Sequence, residues 1–398
     1  MSAATLRLVL GVSMSVGIDL HRGWRRPGPR VAAASVLGLL LVVMAACGGG
    51  DRVSSFSPQR LLVFGDEANV IAGSDGLLYT ADAPPVAITT QAGAKYSVNA
   101  RNLDAGGAPL ATYNCNALAV WVQAVAGHYG MGLAAVPPNA TTATVVPDAC
   151  NPYAPNAARG RIYAQVGARV GSIAAQVANH QVSTGTGFSN TDLVTVMVGQ
   201  RDILDAYALY PAQSEDAVVS IVEATGRALG AQVNAIAQAG GRVLIATVPN
   251  QGATPFAAAQ NALADGRAAL LSRMTQRFNA GLRAALVNDG RVIGLVQADE
   301  QLQLVINNPA VFGYASVSAA ACTGLTPPPG SGPFTPTNEL LGCVAPTAAT
   351  ASAPATPGTL VTGATVGNYL WADHYRFGVD GHSRIGNLAI TRAVNNPF

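Results

Sequence analysis

Four stretches of the chain are continuously apolar and rich in Val, Ile and Leu: Arg60–Phe64, Leu193–Val198, Arg242–Val248 and Arg291–Val296. Short apolar runs of this kind suit strands buried on both faces of a sheet. Between them lie amphipathic stretches at Val170–Gln181, Glu215–Gln238 and Phe256–Val287, the last rich in Ala, Leu and Arg with few helix breakers. Buried strands alternating with helices predict an α/β fold, a three-layer α/β/α sandwich around a parallel sheet. In such sheets ligands bind beyond the carboxyl ends of the strands. Two regions depart from the rhythm. Leu78–Arg161 holds short extended pieces and one helix near Ala117–Tyr129, and Cys322–Gly367 is dominated by Pro, Gly, Thr and Ala. Both read as long loop insertions on one domain, and no internal repeat is visible.

The N-terminus follows another logic. Arg22, Arg25, Arg26 and Arg30 precede an apolar run from Val31 to Ala46 that is short for a membrane span. It fits the core of a signal peptide, and Met44-Ala45-Ala46-Cys47-Gly48 resembles the lipobox at which a bacterial lipoprotein is cleaved and its cysteine lipidated. A plain secretory signal or a membrane anchor is the alternative, and Met14 is a second possible start. The expected organisation is a signal peptide over 1–46, a flexible tether over 47–57 and a single domain over 58–398. The mature protein is expected to be exported and held by lipid on Cys47 to the bacterial cell envelope, at the outer membrane or periplasm, with nothing in the sequence fixing which side of the membrane it faces.

Composition narrows the function classes. Of 398 residues 49% are hydrophobic and only 11% charged, with a net charge of +2. Soluble domains average about 25% charged residues, and a disordered chain needs the opposite balance. The basic stripe of a nucleic-acid binder is absent. In an exported protein the even set Cys115, Cys150, Cys322 and Cys343 points to disulfides, with Cys115–Cys150 and Cys322–Cys343 the favoured pairing of the three possible. Each of these pairs brackets a Pro-rich segment. No C-x-x-C spacing supports zinc, and His128 and His180 have no evident partners for a metal. No cofactor is implied, and nothing in the chain fixes its oligomeric state.

Three blocks carry the candidate chemistry. Strand Arg60–Phe64 runs into Gly65-Asp66-Glu67; Val198-Gly199-Gln200-Arg201-Asp202 follows the second strand; Asp373-His374-Tyr375-Arg376 lies near the C-terminus. With Tyr163-Ala164-Gln165-Val166-Gly167-Ala168-Arg169, their order and spacing resemble the SGNH/GDSL hydrolases, a family of esterases and lipases whose blocks read F-G-D-S, Y-A-x-G-G-A, G-x-N-D and D-x-x-H. The likeness extends over most of residues 58–398. It implies a flavodoxin-like α/β/α fold and hydrolysis of acyl esters. The family uses a Ser nucleophile, a His base oriented by Asp, and an oxyanion hole made by backbone N–H groups and an Asn.

Carried over position by position, Glu67 stands for the Ser, Arg201 for the Asn and Arg376 for the His. Asp373 matches, as does Gly167 or its neighbour Val166. An arginine cannot act as a base, and losing a nucleophile or base costs a serine hydrolase on the order of a million-fold in turnover. Three given positions would all be charged by chance roughly once in a thousand in so charge-poor a chain. Glu67 is therefore expected to be held by one or both guanidiniums in a buried ion cluster, giving a catalytically impaired envelope protein. Two alternatives stay open. One is a pocket for a small anionic ligand on the two arginines. The other is an esterase rewired through Glu67, His374 and Asp373. Asp202 and His382 match family positions read as structural. Gly381-His382-Ser383-Arg384-Ile385-Gly386 reads as a helix start capped by Asp380.

Overall fold

In the computed structural model the described residues are 56–398, apart from 74, 88–94, 115, 141–145, 148–158, 323–337, 348–357 and 396–397. Arg60–Gly65 (β1) lies at the middle of a seven-stranded sheet. The other strands are Leu133–Ala135 (β2), Val146–Pro147 (β3), Gly160–Ile162 (β4), Asp192–Met197 (β5), Arg242–Ala246 (β6) and Ile293–Val296 (β7). Their order is β7-β6-β5-β1-β4-β2-β3, parallel throughout except for the outer pair β2–β3. β1 pairs Leu61 with Leu193 and Val63 with Thr195 along β5, and Leu61 with Gly160 along β4.

Side chains alternate between the two faces. Leu61 and Val63 join one apolar cluster with Leu193, Leu244 and Ala246, while Leu62 and Phe64 join another with Val194, Val196 and Ile245. A strand buried on both sides has no polar face to show, hence the unbroken apolar runs. In chain order the described helices are Trp121–His128 (α1), Ser172–Thr184 (α2), Gln200–Tyr207 (α3), Glu215–Gln238 (α4), Pro255–Leu263 (α5), Arg267–Ala285 (α6), Ala298–Asn307 (α7) and Val379–Asn395 (α8). The first face is covered by α1, α7 and α8 through Trp121, Leu302 and Ile385; the second is covered by α2 to α6, among others through Ile173, Val222 and Phe278. This is the expected α/β/α sandwich.

Local corrections have physical causes. The run Phe256–Val287 divides into two helices because Ala264 is extended and Gly266 turns left-handed at φ 87°. Within Leu78–Arg161, read as an insertion, α1, β2 and β3 belong to the main layers. Strands of two or three residues are too short to leave a periodic signal. Asp380 is inside the first turn of α8, where its carboxylate takes Arg384 Nε and the Tyr314 hydroxyl instead of capping the helix. Cys322 and Cys343 form a disulfide with a Cα–Cα distance of 5.7 Å. Cys115, Cys150, Cys47 and the whole of 1–55 lie outside the described residues.

The pair α4–α6 approaches closely through glycine. A Cβ on Gly226 would sit 2.0 Å from the Phe278 carbonyl oxygen, and one on Gly281 2.3 Å from that of Glu223. Substituting Gly226→Val should force these helices apart and cost about 3 kcal/mol by overpacking, read as a lower urea midpoint with an unchanged slope.

Candidate active site

Glu67 is placed by the abrupt end of β1. Gly65 has φ 136°, and a Cβ there would lie 2.0 Å from the Met197 carbonyl oxygen, so only glycine lets the chain turn off the sheet at this point. The Asp66 N–H donates to that same oxygen at 3.1 Å, and Asn69 Nδ2 does so at 2.8 Å. Asp66 Oδ1 then caps the short turn Glu67–Asn69 by accepting from Ala68 N at 3.1 Å. Trp121 Nε1 donates to Asn69 Oδ1 at 3.0 Å from the far side. The turn is fixed at both ends, and the Glu67 side chain has little freedom left.

Its carboxylate meets two donors. Gly167, left-handed at φ 73°, donates its N–H to Glu67 Oε2 at 3.0 Å. Arg376 Nε and Nη2 both lie 3.2 Å from Glu67 Oε1. On the other side, Arg376 Nη1 donates to Asp373 Oδ2 at 2.6 Å. Asp373 Oδ1 closes the turn by accepting from Tyr375 N at 2.8 Å and Arg376 N at 2.6 Å. The Tyr96 ring lies against the guanidinium, 4.7 Å from its carbon. Glu67, Asp373, Arg376 and Tyr96 are 3%, 5%, 5% and 1% exposed, so the cluster is closed to solvent.

The structure brings Glu67, Gly167, Asp373 and Arg376 together and pairs Arg201 with Asp205. Arg201 Nε donates at 2.7 Å to Asp205, one turn along α3; Asp205 also takes Arg169 Nε at 2.6 Å, and Arg169 pairs with Asp82. Glu67, expected on one or both guanidiniums, is held by Arg376. The i,i+4 spacing of Arg201 and Asp205 was the available signal for the second chain of ions. Both Asp373 oxygens accept from Arg376 and backbone N–H groups next to His374. The His374 carbonyl accepts from Phe256 N at 3.1 Å. Tyr96 gave no sequence signal, since it comes from an irregular segment.

Burial controls protonation around the cluster. Asp66 is pushed well above the usual carboxylate range by burial and by the neighbouring Glu67 charge. Burial likewise raises Asp202, whose Oδ2 accepts from Val170 N at 3.0 Å, to about 6. Burial opposes the Arg376 charge, but Asp373 and Glu67 more than offset it and raise its pKa. Tyr96 is raised by burial to about 12. His382 packs on Phe377, accepts from Trp121 N at 3.3 Å, and is lowered to about 3 by burial and by Lys95. His180 is lowered by burial to about 4. No group of three or more His, Cys, Asp or Glu among the described residues is arranged to hold a metal ion.

No family model matches the chain, and no curated protein matches it in sequence. Among solved structures it is similar to a catalytic mutant of Axe2, an acetylxylan esterase from Geobacillus stearothermophilus, with TM-score 0.35 and 12% identity over 85% of this chain and 95% of that one. A second structure of Axe2 matches with TM-score 0.35 and 12% identity over 86% and 97% of the two chains. Both likenesses are distant.

Two outcomes follow from the geometry. Glu67→Gln leaves Arg376 with one carboxylate and should destabilise the fold by about 3 kcal/mol; an unchanged melting temperature would show that the pair is not holding the core. Because the folded pKa of His382 is lowered, its stabilisation is present above about pH 6.5 and is lost as pH falls toward 3. Asp202 acts in the opposite sense, its contribution being lost as pH rises through about 6. His382→Gln should therefore reduce the acid loss of stability between pH 6.5 and 4 by about 2–3 kcal/mol, measured by urea unfolding at each pH.

Proposed function

We propose that the chain is an exported, lipid-anchored protein of the bacterial envelope, built on an SGNH/GDSL hydrolase scaffold whose ester-cleaving site has become a structural ion cluster. One observation carries this: the Glu67 carboxylate lies between the Gly167 N–H and the Arg376 guanidinium, with Asp373 on the guanidinium's other side. In the resemblance drawn from the sequence these are the nucleophile, oxyanion-donor, base and base-orienting positions. A resident carboxylate fills the place where a substrate carbonyl oxygen would be polarised.

The chemistry that remains does not assemble into turnover. A carboxylate nucleophile would give an acyl-anhydride, whose hydrolysis needs a base to activate water. Arg376 cannot serve, and Asp373 is engaged by the Arg376 guanidinium and two backbone N–H groups. An external anion fares no better, because it would have to displace Glu67 from its two donors and then face both carboxylates. Non-catalytic binding is the role these facts support, with export and anchoring supported by the Arg22–Cys47 segment of the sequence.

The mature protein should give no hydrolysis of p-nitrophenyl acetate or butyrate above the buffer rate. Turnover that disappeared in Glu67→Ala and His374→Ala variants would establish the rewired esterase in its place.

A further inference from the structure

Two groups that hold Arg376 are themselves held by segments that one covalent bond joins. Tyr96 covers a face of the guanidinium from the stretch 95–99. Asn99 Nδ2 makes that stretch a unit by donating to the Lys95 and Ser97 carbonyls, each at 3.1 Å. Its Asn99 end is fixed on residues 343–345: Asn99 N donates to the Cys343 carbonyl and Ala345 N to the Asn99 carbonyl, both at 2.8 Å. Asp373 follows a strand fixed in the same way. Ala321 N and Cys322 N donate to the Trp371 and Ala372 carbonyls, at 2.9 and 3.1 Å. The Cys322–Cys343 disulfide therefore ties the anchor of Tyr96 to the anchor of Asp373. We propose that this bond is an oxidation-set latch on the ion cluster: with both cysteines reduced the folded chain admits small reagents to Arg376, and forming the bond closes the Tyr96 side.

The contacts around the bond define what it controls. Among the described residues between Cys322 and Tyr369, the only helix or strand is the short turn Asn338–Gly342. Leu340 and Leu341 of that turn pack in the apolar cluster, which keeps it docked whether or not the bond is formed. Crosslinking two residues 21 apart in sequence removes freedom that such sparse structure leaves. The other end of 95–99 is secured separately, by Lys95 Nζ donating to the Ala117 and Leu118 carbonyls at 2.7 and 2.8 Å. Loss of the disulfide then frees the Asn99 end alone, a local opening and not a global one.

Closing the latch is a two-electron exchange. The Cys322 and Cys343 thiols give up two electrons and two protons to the S–S bond of a disulfide oxidant, which leaves as two thiols. Cys322 and Cys343 are 5% and 1% exposed in the closed form, so the product is sheltered from attack by an external thiolate. The direction of the device is thus set at folding.

The test is labelling of the mature protein with phenylglyoxal, a dicarbonyl that reacts with accessible guanidiniums, read by peptide mass. Arg291, 76% exposed at its side chain, is the reference. With the bond formed, Arg291 reacts and Arg376 does not. In the double variant Cys322→Ala with Cys343→Ala, Arg376 should react about tenfold faster or more, with Arg291 unchanged and the urea transition still cooperative. Wild-type chain refolded in dithiothreitol should behave like that variant and regain protection when oxidised glutathione is added. Tyr96→Ala should expose Arg376 with the bond intact. Equal protection of Arg376 with and without the bond would overturn the proposal, as would protection that oxidation does not restore or that survives Tyr96→Ala. Loss of the cooperative transition in the double variant would also overturn it, because the bond would then support the whole fold.

Discussion

A guanidinium buried away from water must be matched by negative charge within hydrogen-bonding distance, and most of the site's architecture follows from that constraint. Arg376 meets it with two carboxylates. Asp373 is local, three residues earlier in the same turn; Glu67 is 309 residues away in sequence. The pair therefore ties the end of the central strand to the C-terminal turn. Gly167 completes the arrangement by satisfying the carboxylate oxygen that faces away from the arginine. Tyr96 covers the ring face of the guanidinium, a contact that favours a cation where water is excluded. Removing any partner would leave buried charge poorly compensated, so the three charged groups depend on one another.

Arg201 shows what the same residue type does a short distance away at the rim. Its side chain is partly open to water, and it pairs with Asp205 in a chain that runs through Arg169 to Asp82. Arg169 and Asp82 are 34% and 62% exposed at their side chains, so their attraction is screened by solvent. The interior cluster joins β1 to the C-terminal turn, while the rim chain ends on exposed Asp82. The two arginines thus pair with different carboxylates.

Particular residues show how much was legible in advance. The runs at Arg60, Leu193 and Arg242 announced the buried strands because a parallel strand must be apolar on both faces. Glu67, Gly167, Asp373 and Arg376 could be expected in one place only through the resemblance of their blocks to the SGNH/GDSL pattern. The three-residue strand at Leu133 and the break at Gly266 could not, since each depends on a neighbour or one backbone angle. Tyr96 was invisible for a similar reason: its role is set by the guanidinium it lies against, which comes from the other end of the chain.

By itself the sequence determined the layer architecture and the presence of charged Glu67, Arg201 and Arg376 in the three candidate blocks. Periodicity and residue identity are properties of the chain and survive without a fold. Only the tertiary structure decided which charges meet. It gave Arg376 to Glu67 and Arg201 to Asp205, and it raised the Asp66 pKa by burying it beside Glu67. Pairing and protonation depend on distances of a few ångströms and on exclusion of water, and these exist only once segments far apart in the chain have been brought together.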